Sequence, residues 1–168
     1  LNLQKAKLKD IPAIMEIINS AREQLAANNI EQWQGSYPDQ SIFRADIIAE
    51  NCYIIKNSAK LIAVAVISLG DDPSYQNIYQ GEWLSTEKYG VIHRIAVTAN
   101  YQGQSLASLF IKKAEEIALS ENIKSIRIDT HRDNLAMQNL LKKNKFKYCG
   151  IIYTLREAER LAFEKLLV

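Results

Sequence analysis

The chain has 168 residues, of which 48% are hydrophobic and 24% charged, with a formal net charge of +2. That length suits one domain spanning residues 1–168, and that balance suits a globular chain with a sizeable core. A charge this small argues against nucleic acid as the main partner, and no run of about 18 apolar residues exists to span a membrane.

Leu1–Leu8 alternates apolar and polar residues with one slip and reads as a first strand, without the apolar core of an export signal. Asp10-Ile-Pro12 starts a helix, with Asp10 near the N-cap and Pro12 in the first turn. Ile14, Ile17, Ile18, Ala21 and Leu25 make its buried stripe, and it fades by Asn28-Asn29. Ile30–Pro38 is loop-like but carries Trp33 and Tyr37, which either cover the core edge or wall a binding pocket. Asp39–Glu50 reads as a second helix with Ile42, Ile47 and Ile48 inward. Cys52–Lys56 and Lys60–Leu69 form a hairpin across Asn57-Ser58-Ala59. Cys52 and Cys149 sit in apolar, strand-like contexts without metal-type spacing, which suits buried free thiols and a cytoplasmic location. Ser74–Lys88 is a long connection holding Tyr75, Tyr79, Glu82 and Trp83, and long ordered loops are often functional.

Val91–Ala118 organises the rest. It begins as a strand with Ile92, Arg94, Ala96 and Thr98 on one face and Val91, His93, Ile95 and Val97 on the other. It breaks at Ala99–Gly103 and restarts as an amphipathic helix through Leu106, Leu109, Phe110, Ala114 and Ile117. Between them lies Gln102-Gly103-Gln104-Ser105-Leu106-Ala107. Small residues there allow close approach to the backbone, and the first helical amides have no intrahelical partner. Free amides at the positive end of a helix dipole favour an anion, typically phosphate.

Ser125–Thr130 is a further strand, His131–Asn134 a turn, and Leu135–Asn144 a short helix with Met137, Leu140 and Leu141 inward. Phe146–Leu155 and Arg160–Leu166 read as a closing hairpin. The order implies a mixed sheet with helices on its faces.

The turn resembles the acetyl-CoA-binding motif of the GNAT superfamily of N-acetyltransferases, Gln/Arg-x-x-Gly-x-Gly/Ala after a strand. Gln102 fills the first place and Ala107 the last, while Ser105 replaces the middle glycine. A second landmark is similar to Asn-x-x-Ala-x-x-Leu-Tyr-x-x-x-Gly-Phe, with Asn134, Leu140 and Phe146 in register. The resemblance covers essentially the whole chain. It implies an α/β GNAT-like fold, a mixed and mostly antiparallel sheet of about six or seven strands flanked by about four helices. It implies acetyl-CoA as co-substrate, no metal, and an amine acceptor on a small molecule or peptide. Backbone groups of Ile95, Ala96 and Val97 would hold the pantetheine arm, the amides of Gln102, Gly103, Gln104, Ser105, Leu106 and Ala107 the pyrophosphate, and Asn134 would contact the cofactor.

The proton acceptor is less defined. His93 is a candidate base because the arylalkylamine acetyltransferases, which resemble this segment, carry a histidine there and imidazole suits the task. A strand histidine satisfied by hydrogen bonds is the plain alternative. Asp129 lies where some protein N-terminal acetyltransferases place a glutamate base, or it pairs with an arginine. His131 ends the same strand near the cofactor mouth, or it caps the turn. Glu82 is an acceptor-binding carboxylate or a solvated charge, and Arg94 is expected to pair structurally. Many relatives carry a tyrosine acid at the place of Leu141, which cannot protonate a thiolate, and Tyr79, Tyr89 and Tyr101 are unplaced substitutes. His93 and the aromatic loops favour an enzyme. Leu141 and Ser105 favour a CoA-binding or sensor module without turnover. The acceptor's identity and the oligomeric state, a homodimer included, stay open.

Overall fold

Leu61–Ile67 is an unbroken run of buried apolar residues, the signature of a strand covered on both faces, and it forms most of β3, Lys60–Leu69. The computed structural model describes all residues, Leu1–Val168. Strands β1 (Asn2–Lys5), β2 (Cys52–Asn57), β3, β4 (Gly90–Val97), β5 (Ser125–Thr130), β6 (Lys147–Tyr153) and β7 (Glu159–Leu166) form one seven-stranded sheet in the order β1-β2-β3-β4-β5-β7-β6. The β1–β2, β2–β3, β5–β7 and β6–β7 pairs are antiparallel, and β4 pairs with β5 in parallel at Gly90 and Val91. Helices α1 (Ile11–Ala27), α2 (Gln40–Ile48), α3 (Leu106–Ser120) and α4 (Leu135–Lys143) complete the expected mixed α/β architecture. No helix is long and apolar enough to cross a membrane.

The chain divides into two compact units, Leu1–Ile67 with His93–Phe110, and Ser68–Ile92 with Ile111–Val168. The first has a core of Ile14, Ile17, Ile18, Phe43, Ile47, Ile54, Val64 and Ala96. Helix α1 contributes the expected isoleucines. Asp10 stands at its N-cap but makes no cap bond; its carboxylate accepts from Lys7 N at 2.8 Å and Lys56 Nζ at 3.1 Å instead. Helix α2 is capped by Asp39, which accepts from Ile42 N at 3.0 Å. Its inward face differs from the sequence expectation: Phe43 and Ile47 are buried, whereas Ile48 is 65% exposed. Phe43 and Ile47 lie four residues apart and stack on one helical face, which Ile48 leaves by one step. The loop Ile30–Pro38 is fastened by Arg22, whose Nε donates to Trp33 O at 2.7 Å and whose Nη2 donates to Pro38 O at 2.9 Å.

The second unit packs Tyr75, Tyr89, Val91, Ile152 and Ala162 together. The long connection after β3 is built into it rather than loose. Tyr79 exchanges backbone bonds of 2.8 Å with Ile151, and a Cβ on Gly81 would stand 1.9 Å from Cys149 O. Only glycine allows that approach. The face of α3 is likewise shifted from the sequence reading: Ile111 and Ala118 are buried with Leu106, Phe110 and Ala114, while Leu109 is exposed.

Both cysteines are free and buried. Burial pushes the Cys52 thiol from 9.0 up to about 12 and the Cys149 thiol from 9.0 up to about 11. A raised folded value means the thiols' contribution to stability is complete below about pH 9 and is lost as pH rises through about 11–12. Thiolate is the reactive form, so neither thiol should react with an aromatic disulfide reagent at pH 8 until denaturant unfolds the chain. Rapid stoichiometric labelling of the native protein would contradict this burial.

Candidate active site

Strand β4 runs into a single 3₁₀ turn, Ala99–Tyr101, and α3 begins at Leu106. Gly103 has φ +78° and Ser105 φ +61°, both left-handed. Left-handed backbone in a turn can aim amides toward a shared concavity, which suits an anion. A Cβ on Gly103 would meet nothing within 4 Å, so the space above this turn is open. The side chains lie back from it: Gln102 Nε2 donates to Gln24 Oε1 at 2.9 Å, and Gln104 Nε2 to Asn100 O at 3.3 Å. Leu106 is buried and anchors the helix start. The Thr98 hydroxyl just before the turn is buried with no hydrogen-bond partner in the protein. Left-handed backbone at a helix start, open space and an unmatched buried hydroxyl together suit a bound phosphate group of a cofactor.

His93, Ile95, Ala96 and Val97 share the first unit with this turn. Arg94 sits among them with φ +53°, a left-handed residue inside a strand. Its guanidinium grips Asp46 through Nε at 3.1 Å and Nη2 at 2.9 Å, and reaches the Tyr37 hydroxyl through Nη1 at 2.9 Å. This is the structural pairing expected for Arg94. Burial raises the Asp46 carboxyl above the ordinary carboxylate range, against the pull of Arg94 and, more weakly, of His93.

Asp129, His131 and Asn134 belong to the second unit. The Asp129 carboxylate accepts from the Tyr75 hydroxyl at 2.7 Å. Burial and the Asp129 charge hold the Tyr75 phenol well above its usual value. His131 Nδ1 accepts from Asp133 N at 3.0 Å, which puts the proton of the neutral ring on Nε2. In that tautomer His131 offers a donor rather than a base. Asn134 caps α4 by accepting from Met137 N at 3.1 Å. Leu141 is fully buried. Among the tyrosines, Tyr89 accepts from Asp72 N at 3.0 Å and Tyr101 accepts from Asn57 Nδ2 at 2.9 Å. Tyr79 is exposed and packs edge-on against Tyr153. Glu82 is exposed.

The sequence reading missed two groups. Tyr37 and Asp46 as partners of Arg94 carry no local signal, since their separation in the chain is 57 and 48 residues. Tyr75 as the partner of Asp129 was hinted at only by its place in an aromatic-rich connection.

The sequence profile of the acetyltransferase (GNAT) family matches residues 12–146. The crystal structure of a GNAT-family acetyltransferase from Streptococcus agalactiae is 29% identical, with a TM-score of 0.89 over 99% of this chain and 95% of that one. A ribosomal-protein-alanine N-acetyltransferase from Brucella melitensis shares the fold at 16% identity, with a TM-score of 0.71 over 99% of this chain and 100% of that one. So does a PaiA N-acetyltransferase from Thermoplasma acidophilum solved with coenzyme A, at 17% identity and a TM-score of 0.71 over 98% of each chain. No curated protein gives a significant sequence match. With the profile spanning most of its length, from within α1 to the start of β6, the chain belongs to the GNAT family of acetyltransferases.

Proposed function

We propose that the protein moves an acetyl group from acetyl-CoA to a primary amine of a small molecule or peptide. The observation that carries this reading is the turn Gln102–Ala107, where Gly103 and Ser105 present left-handed backbone under open space at the head of α3. Acetyl-CoA supplies an acyl group already activated as a thioester, with a thiolate as leaving group. The turn amides offset the pyrophosphate charge. Backbone groups of Ile95, Ala96 and Val97 orient the pantetheine arm, and a strand amide aimed at the carbonyl oxygen stabilises charge developing there. Asn134, whose side-chain oxygen caps α4, would contact the cofactor at the start of that helix. The acceptor nitrogen forms the new C–N bond as the C–S bond breaks, and its proton passes to His93, or else to Asp129. The second reading, a CoA-binding module without turnover, is favoured by Leu141, an apolar buried residue where an acid would stand.

The direct test is thiol release from acetyl-CoA against a panel of amines, amino acids and peptides. Release with a defined acceptor supports the enzyme; tight CoA binding with no release under any acceptor supports the module. Ser105→Asp is expected to weaken CoA binding about tenfold by setting a carboxylate beside phosphate at a helix start. Unchanged affinity by calorimetry would remove the pyrophosphate assignment.

A further inference from the structure

We propose that Arg94 is a positioning residue, whose gripped guanidinium holds β4 in a left-handed turn and thereby sets the direction of the backbone groups that follow it. The inference rests on the acetyltransferase reading for its consequence, and on geometry for its cause. A non-glycine residue inside a strand does not adopt φ +53° without a constraint, because its Cβ then crowds the neighbouring carbonyl. The constraint is visible. Asp46 on α2 takes the guanidinium in a two-point grip, 3.1 Å from Nε and 2.9 Å from Nη2, and Tyr37 takes the remaining side at 2.9 Å from Nη1. The arginine and the carboxylate are both largely buried, so the pair is screened little by water and its planar geometry is specific. The next residues, Ile95 and Ala96, are buried, and Ala96 packs into the core beneath α1 and α2. A relaxed, extended residue 94 would re-aim the peptide groups of Ile95–Val97, the ones assigned to the cofactor.

The grip also reaches the aromatic loop. Tyr37 belongs to the loop Ile30–Pro38, which Arg22 fastens at Trp33 O and Pro38 O. One guanidinium therefore joins the aromatic loop, helix α2 and the strand. The Arg94 guanidinium is taken up by Asp46 and Tyr37, so it acts through the backbone it holds.

Glycine and alanine at position 94 separate positioning from packing. Both remove the guanidinium and leave Asp46 without it. Only glycine adopts φ near +53° without strain, so only glycine keeps the turn when the grip is gone. A left-handed alanine is disfavoured by an amount that converts to about five- to thirtyfold in population. Arg94→Gly is therefore expected to exceed Arg94→Ala by about fivefold or more in kcat and in acetyl-CoA affinity. In the ligand-free protein, hydrogen exchange at the Ile95 and Ala96 amides should be faster in Arg94→Ala than in Arg94→Gly. If alanine equals or outperforms glycine in these measurements, Arg94 only packs and pairs, and the positioning role is wrong. If the wild type neither binds nor turns over acetyl-CoA, the functional reading fails, while the exchange comparison still decides whether the grip holds the turn. Should both variants fail to fold, Tyr37→Phe removes one arm of the grip alone; exchange at Ile95 and Ala96 should rise, and unchanged exchange would overturn the proposal.

Discussion

Glu164→Ala is expected to remove about 3–5 kcal/mol of folding stability, because it strands a buried guanidinium. The β5–β7 register sets Arg127 opposite Glu164, and their exposures are 5% and 0%. Glu164 Oε1 accepts from Ser125 Oγ at 2.5 Å and Arg127 Nε at 3.2 Å, and Oε2 accepts from Leu84 N at 2.5 Å. Arg127 also donates to Ser85 O at 2.6 Å, and its guanidinium carbon lies 4.1 Å from the Trp83 ring centre and 4.0 Å from that of Tyr89. Alanine leaves the charge, a buried hydroxyl and a backbone amide unmatched at once. The melting temperature should fall by on the order of 10 °C. Replacing both ends, Glu164→Ala with Arg127→Met, should restore part of the loss, since two apolar groups need no partner. A single-variant loss under about 1 kcal/mol, or a double variant no better than the single, would show that the pair is not what holds this region.

That cluster explains why the long connection Ser74–Lys88 could be recognised by length but not understood from sequence. Its composition marked it as ordered. Its anchors lie elsewhere: Trp83 and Tyr89 each set a ring against the Arg127 guanidinium, Trp83 Nε1 donates to Tyr75 O at 3.0 Å, and Leu84 meets Glu164, 80 residues away. The alternation of β5 was legible, with Ser125, Arg127 and Asp129 on one side of Ile126 and Ile128. That the polar side would be buried was not, because burial depended on a carboxylate from β7 and aromatics from the connection. Helix faces were legible to within one residue. Both misassignments, Ile48 in α2 and Leu109 in α3, fell at the margin of an apolar stripe, where a single step of about 100° moves a side chain from core to solvent.

The family landmarks were legible because they are local, and their departures have a physical reading. The patterns carry glycine where this chain has Ser105 and Lys145, and these residues have φ +61° and +67°. The backbone demands a left-handed residue at both places, so the shape survives the loss of glycine at a cost of about 1–2 kcal/mol each. Arg94, likewise left-handed, could not be anticipated from alternation. A strand pattern assigns faces and says nothing of φ.

Of the catalytic candidates, His93 makes the sharpest kinetic prediction. An amine arrives mostly as ammonium, so a group near the thioester must take its proton before or during attack. His131 is poorly arranged for that, with Nδ1 already accepting from Asp133 N. The Asp129 carboxylate is already held by the Tyr75 hydroxyl at 2.7 Å. His93 is partly exposed, immediately before the gripped Arg94, and close enough to Asp46 for its charge to act on that carboxyl. His93→Ala is expected to lower turnover by about 10²-fold while leaving CoA affinity nearly unchanged. Loss of stability parallel to the loss of turnover would instead mark a strand histidine that only packs beside Asp46. Wild-type turnover in the variant would exclude His93 and move the assignment to Asp129, where Tyr75→Phe becomes the informative variant. Removing the phenol takes away the hydrogen bond that holds the Asp129 carboxylate, so a changed turnover in that variant would support Asp129 as the base and an unchanged one would exclude it.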